Sequence, residues 1–311
     1  MSLTPTSTQA MNTVAVATTA SWKSWLLALR PKTLTAAIVP VVVATALVKA
    51  EGHQVLWWIS ICALLSSAFI QIGTNFINDA LDFKKGADTE KRIGPKRVTQ
   101  SGLLTHKQVM NGGIACFFIA MVLGIPLVVH GGWPIVAIGL VSLVLGYAYT
   151  GGPFPLAYVG LGDLFVILFF GLVAVMGTFF LHTGTLSAGA AIAGLQVGCL
   201  ATVLIAVNNM RDAPQDALVG KKTLAVRLGL DFARCEIFVL VVLPFVLGFY
   251  WYAQGIPYAL LMPAISIPFA RRVVSGVFTH QPSPIFNQFL AMSAGLQILF
   301  GFTLAIALWL R

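Results

Sequence analysis

The sequence predicts an all-α, polytopic membrane protein, and three observations carry that prediction. Of its 311 residues, 58% are hydrophobic and 9% charged, against roughly 25% charged residues in soluble domains, and its mean hydropathy is +0.89. The apolar residues gather in nine runs near the ~20 residues a helix needs to cross the hydrocarbon layer. Lys and Arg concentrate in alternate connections, the bias that fixes the orientation of membrane helices.

Residues 1–21 are rich in Ser, Thr and Ala and lack the charged start of a secretory signal, so they read as a disordered tail. Residues 22–311 read as one transmembrane domain. Its spans fall at about 33–50, 55–77, 109–130, 133–150, 162–182, 186–207, 235–253, 256–272 and 286–310. With the N-terminus in the cytoplasm, 17 of the 19 Lys and Arg lie inside, leaving Lys49 and Arg311 outside. Short external turns then hold His53, His130 and His182, the C-terminus is external, and the expected location is the cell (inner) membrane. The net charge of +9 is accounted for by topology and attraction to anionic lipid, so nucleic acid is not an expected partner. Cys62, Cys116, Cys199 and Cys235 are isolated within spans, form no C-x-x-C pair and read as packing residues. Gly73, Gly171 and Gly177 read as sites of close helix approach.

Four of the ten acidic residues sit where this chain can least accommodate them. Asn75, Asp79 and Asp82 end the second span, and Asp212 and Asp216 end the sixth. Spacings of three and four put each group on one helix face. Carboxylates at a membrane edge are costly unless solvated, paired or bound to a cation. An oxygen donor set without a His or Cys cluster suits Mg²⁺, which usually shares its shell with substrate phosphates. Each motif is followed by a basic, Gly-containing loop, carrying Asp88, Lys91, Arg92 and Arg97 in one case and Lys221 and Lys222 in the other. That order suits a diphosphate clamped between metals and cationic side chains. A third cytoplasmic loop, residues 147–163, brings Tyr149 and Asp163.

Asn75-x-x-x-Asp79-x-x-Asp82 together with Asp212-x-x-x-Asp216, in a chain of nine spans, resembles the UbiA-type intramembrane prenyltransferase superfamily from about Trp22 onward. Arg30-Pro31-Lys32-Thr33-Leu34, Lys85-Gly86-Ala87-Asp88, Arg92-Ile93-Gly94-Pro95, Tyr149-Thr150-Gly151-Gly152-Pro153, Gly160-Leu161-Gly162-Asp163 and Asn208-Asn209-x-Arg211-Asp212 are similar to the branch that prenylates 1,4-dihydroxy-2-naphthoate. The Tyr-x-x-x-Lys element of the 4-hydroxybenzoate branch is absent, since Pro153 follows Tyr149 by four residues.

The resemblance implies nine helices around a central cavity open to the cytoplasm. It implies Mg²⁺-dependent transfer of a polyprenyl group from polyprenyl diphosphate to 1,4-dihydroxy-2-naphthoate, with loss of CO2 and diphosphate, as in menaquinone biosynthesis. Asn75, Asp79, Asp82, Asp212 and Asp216 are then expected at the metals, with the four Asp catalytic. Lys91, Arg92, Arg97, Asn209 and Lys221 are expected at the diphosphate, and Tyr149, Asp88, Asp163 and Arg211 at the acceptor or the allylic cation. Phe76, Phe83, Tyr147 and Phe154 compete with Tyr149 for stabilising that cation. The prenyl tail is expected between helices, opening sideways to lipid.

Plainer readings stand beside these. The carboxylates could cap helix ends or pair with local cations, the basic residues could be topology signals, and Asp163 could be an N-cap. Other acceptors, of the 4-hydroxybenzoate or homogentisate type, are the alternative within the superfamily. An ion-coupled transporter is a remote one, disfavoured because such sites lie near the bilayer midplane.

Overall fold

The computed structural model describes residues 21–88 and 92–311. Residues 1–20, nearly all of the expected tail, lie outside the described residues, as does Lys91.

Among the described residues every regular element is helical. Helices α1 (Trp22–Leu29) and α2 (Thr35–Ala50) are followed by α3 (Trp57–Lys84), α4 (His106–Gly131) and α5 (Trp133–Ala148). Next come α6 (Gly162–Val166) and α7 (Ala174–Thr183), joined through a π-helical stretch at Ile167–Val173, and then α8 (Ala188–Leu218) and α9 (Leu224–Ala253). Helices α10 (Tyr258–Leu261) and α11 (Ile267–Thr279) run on through a 3-10 turn, and α12 (Phe286–Trp309) ends the chain.

Each of the nine expected runs is helical, and the chain is a multi-pass membrane protein. The count needs correcting in detail. Among the described residues, seven helical segments are long and apolar enough to cross a membrane. The α1–α2 pair, bent by 51°, makes an eighth only if it is one span. Helix α5 has 16 residues, fewer than the ~20 a perpendicular crossing takes. The α1–α2 bend falls at Pro31, which cannot continue a helix hydrogen-bond ladder, and Arg30 before it is left-handed, with φ 54°.

Helix α8 is central, with 78% of its most apolar stretch buried. The backbones of α8 and the π-helical stretch touch there, since a Cβ on Gly171 would lie 2.5 Å from the Gly194 carbonyl oxygen. Gly73 likewise admits the Phe117 ring. Gly177 does not fit that reading, because a Cβ there would meet the Ile138 side chain at an ordinary 3.6 Å. Thr105 caps α4 with a capping box, and Ser187 and Thr223 cap α8 and α9. These starts fix where the loops between helices turn, and therefore which helix ends face one another.

Candidate active site

The C-terminal ends of α3 and α8 meet on one face of the bundle. The periodicity that placed Asn75, Asp79 and Asp82 on one face of α3 holds, since all three are buried, and so are Asp212 and Asp216 on α8. Such carboxylates need partners supplied from elsewhere in the fold.

On α3, Asp79 accepts a hydrogen bond from the Thr99 backbone N–H at 3.1 Å, and Arg30 Nη2 stands 4.0 Å away. Asp82 accepts from the Tyr158 hydroxyl at 2.8 Å. On α8, Asp212 is held by Arg211 through two hydrogen bonds, of 2.8 and 2.7 Å. Lys221 Nζ lies 3.4 Å from Asp216. The loop after α3 crosses between the two helix ends. Arg92 pairs with Asp88 in its own loop and with Asp212 on α8 at 3.4 Å, so one guanidinium ties the loop that follows the α3 motif to the α8 motif. Arg97 stands 3.4 Å from Asp88 on its other side.

The loop after α5 seats the third wall. Thr150 donates to Asn78 at 2.7 Å and Lys85 to the Thr150 carbonyl at 2.5 Å, anchoring this loop on α3. The Tyr158 carbonyl accepts from the Lys222 amide at 3.0 Å, and Arg227 donates to the Val159 carbonyl at 3.1 Å, anchoring it beside α8.

Burial sets the electrostatics of the loop residues. Asp88, 5% exposed, has its pKa pushed up to about 6 by burial, with Arg92 pulling the other way. Burial would lower the Arg92 guanidinium, but Asp212 and Asp88 outweigh it and raise its pKa. The Tyr158 phenol is raised by burial and by its charged partner Asp82.

Several expected roles change. Asn75 is turned away from the carboxylates: its amide nitrogen donates to the Leu29 carbonyl at 3.1 Å and to Thr33 at 3.0 Å, and its oxygen accepts from Gln71. It locks the α1–α2 turn against α3 and so helps hold Arg30 near Asp79. Arg211, expected at the acceptor, is fully enclosed, and its remaining donors go to Asn208 at 2.8 Å and Asn287 at 2.7 Å. Four of its five N–H donors are taken up within the protein, which suits a structural tie. Asn209, expected at the diphosphate, donates to Asp163 at 3.4 Å. Asp163 is not an N-cap: Leu161 holds that position, and the second Asp163 carboxyl oxygen is buried without a hydrogen-bond partner.

Of the five aromatics expected near the cation, Tyr149 alone borders the cavity described next. Phe76 is one residue, or about 100° of helix, beyond Asn75 and packs on Trp25 at 5.4 Å. Phe83, Tyr147 and Phe154 are exposed. Arg30, Thr99, Tyr158 and Asn287 are site neighbours that the sequence reading did not single out. Only Arg30 and Tyr158 had a signal, lying respectively in a quoted motif and in the third loop.

Behind Tyr149 an apolar cavity of ≈ 390 Å³ runs between α2, α3, α4, α5 and α7. It reaches from Thr74 and Tyr149 near the acidic face to Leu127, Ile135 and Leu181 at the opposite end. Ile135 to Tyr149 is roughly 20 Å along a helix axis, a substantial part of the hydrocarbon layer. Phe165 and Phe169, stacked with centroids 5.9 Å apart, line it beside Tyr149.

The donor chemistry, carboxylates with no thiolate or imidazole beside them, fits a hard divalent ion. No three His, Cys, Asp or Glu side chains among the described residues converge closely enough to hold a metal by themselves. The residues therefore suit an ion whose shell is completed by water and substrate oxygens. The oxygens of Asp88 and Asp216 that accept no hydrogen bond each face a cation at 3.4 Å, Arg97 and Lys221 respectively, so both are held by ion pairs alone.

A helical membrane bundle with paired acidic helix ends over an apolar cavity belongs to a recognisable class of intramembrane proteins. Residues 37–308 match the UbiA prenyltransferase family, and the chain belongs to that family. It is 32% identical over 300 residues to the 1,4-dihydroxy-2-naphthoate octaprenyltransferase of Haemophilus influenzae, covering 91% of this chain and 96% of the relative. The protein of the same name in Escherichia coli is 36% identical over 68% of this chain and 70% of its own length. In fold the chain is similar to a UbiA homolog from Archaeoglobus fulgidus bound to GPP and Mg²⁺ (TM-score 0.65, 16% identity, 91% and 99% of the two chains). It is also similar to an apo UbiA homolog from Aeropyrum pernix K1 (TM-score 0.67, 14% identity, 87% and 97%).

Proposed function

We propose that this chain is an aromatic prenyltransferase that moves a polyprenyl group from polyprenyl diphosphate onto 1,4-dihydroxy-2-naphthoate, releasing diphosphate and CO2 and serving menaquinone synthesis. The observation that carries this reading is Arg92, which pairs with Asp88 in the loop that follows the α3 motif and with Asp212 of the α8 motif, and it supports one shared anion site beside the apolar cavity. Relatives of this name cover most of the chain, and that supports the acceptor.

Asp79, Asp82, Asp212 and Asp216, together with substrate oxygens, would hold Mg²⁺, which when bound would neutralise charge on the departing diphosphate. The chain's own residues do the rest. Arg92, Arg97 and Lys221 turn from their carboxylates to the phosphate oxygens as the donor enters, exchanging one set of charge-assisted bonds for another. The apolar cavity holds the prenyl tail. As the allylic C–O bond breaks, Tyr149 with Phe165 and Phe169 presents π faces to the cationic carbon and excludes water that would quench it. The ring of the acceptor forms the new C–C bond at that carbon. Asp88 and Asp163 border the acceptor side, Asp163 keeping an unpaired oxygen for a hydroxyl. The site faces the cytoplasm of the inner membrane, in agreement with the Lys and Arg distribution.

The test is transfer of label from prenyl diphosphate in membranes carrying the chain, with 1,4-dihydroxy-2-naphthoate and 4-hydroxybenzoate in competition. Mg²⁺-dependent labelling of the naphthoate is expected. Preferential labelling of the benzoate would sink the acceptor assignment and leave the family intact.

A further inference from the structure

Two arginines on α11 have no counterpart in the site. Arg271 and Arg272 lie within the candidate span Tyr258–Thr279, about 12 Å of helix before its end at eight residues of 1.5 Å rise. Both are exposed, and neither has an ion pair or hydrogen bond among the described residues. Charges that serve only as topology signals sit in the connections or at span ends. Two exposed guanidinium groups with no partner among the described residues, within a candidate span, are costly unless something outside the chain meets them.

The surrounding surface is shaped to do so. Arg271 and Ser275 are four apart and so share one face of α11, with Arg272 adjacent. Gly276 leaves room for the Phe289 ring of α12, since a Cβ there would lie 2.5 Å from it. This opens a groove of ≈ 560 Å³ between the two helices, cationic along one edge, with Phe289, Met292 and Ile267 as its apolar floor. Its open end is on the face of the acidic site, because Asn287, at the start of α12, bonds the Ile93 carbonyl and Arg211. The groove shares no lining residue with the cavity behind Tyr149.

We infer that this groove binds an anionic phospholipid of the leaflet on the site's face, with the headgroup phosphate on Arg271 and Arg272 and an acyl chain along Phe289, Met292 and Ile267. Guanidinium forks match phosphate oxygens bidentately. The long Arg stems reach toward the interface while their methylenes stay on apolar surface. With no carboxylate partner among the described residues, the two arginines leave a doubly cationic edge that an anionic occupant complements.

The experiment reads lipid retention, not transfer, so it is independent of the proposed reaction. The full chain is reconstituted in phosphatidylcholine vesicles with or without phosphatidylglycerol, extracted gently, and its retained phosphatidylglycerol counted by native mass spectrometry. The wild type is expected to retain it. The R271Q/R272Q chain should bind about thirtyfold more weakly, each charge being worth about fivefold. Ser275→Trp keeps both charges but fills the groove, and should also lose retention. Should R271Q/R272Q fail to fold, Ser275→Trp decides. Wild-type retention by either folded variant would overturn the inference, because it would leave only diffuse attraction or none. Displacement of the lipid by geranyl diphosphate would also overturn it, marking a second diphosphate site.

Discussion

On α3 the carboxylates of Asp79 and Asp82 are held by neutral donors, the Thr99 amide and the Tyr158 hydroxyl, with Arg30 no nearer than 4.0 Å. On α8, Asp212 and Asp216 each have a cation within 3.4 Å, and Asp212 has two. The motifs are similar in sequence, yet the first is met mainly by neutral donors while the second is paired with cations from the fold. A divalent ion is drawn most strongly where carboxylate charge is least compensated. Within the proposed function, the α3 motif is accordingly the stronger of the two metal-holding ends, and the α8 motif, with Arg92 and Lys221, is the end proposed to hand cations to phosphate.

That asymmetry gives variants of different character. Asp79→Asn or Asp82→Asn removes uncompensated charge, so transfer should fall by about 100-fold or more, the Mg²⁺ requirement should rise, and the melting temperature should stay near wild type. Activity assays over a Mg²⁺ titration, beside thermal unfolding, check this. A Mg²⁺ dependence left unchanged would remove the α3 motif from the metal end.

Asp212→Asn should lower activity and also stability. It strips the fully buried Arg211 of its carboxylate, and breaking a buried pair costs about 3 kcal/mol or more. Denaturant unfolding in mixed micelles measures the loss. A variant as stable as Asp79→Asn would erase the distinction between the two ends.

Asn287→Ala probes the same tie from α12, since Asn287 accepts from Arg211 at 2.7 Å and donates to the Ile93 carbonyl at 3.1 Å. Leaving both partners unsatisfied should cost about 1–3 kcal/mol and raise KM for the prenyl donor through misplacement of Arg92. Steady-state kinetics separate KM from kcat. Tyr158→Phe should be mildest. It removes one hydrogen bond to Asp82, costs about 1 kcal/mol, and should lower kcat by about fivefold.

Much of this was legible in the sequence, and what was hidden has a physical reason. The spans show through hydropathy, and the burial of Asp79, Asp82, Asp212 and Asp216 through helical spacing, because both are local properties. Thr99 and Asn287 were invisible because each acts across long chain separations through a group with no distinctive local pattern. Arg211 was misread because adjacency to Asp212 does not reveal burial, and burial separates a tie from a ligand. Phe165 and Phe169 were lost in a uniformly apolar run, where periodicity cannot show which face lines a cavity. The α1–α2 turn was half legible. Arg30-Pro31 marked a break, but Arg30 in the left-handed region is a strained state that the surrounding contacts hold in place.

The central claim is that both motifs grip one diphosphate, and the most direct measurement is a double-mutant cycle on Mg²⁺-dependent binding of geranyl diphosphate with Asp82→Asn, Asp212→Asn and the pair together. Groups acting as a unit on one ligand are strongly non-additive. The double variant is expected to bind no more weakly than the worse single variant. Losses that simply add would mean that the two motifs act on separate ligands, and would contradict the shared site.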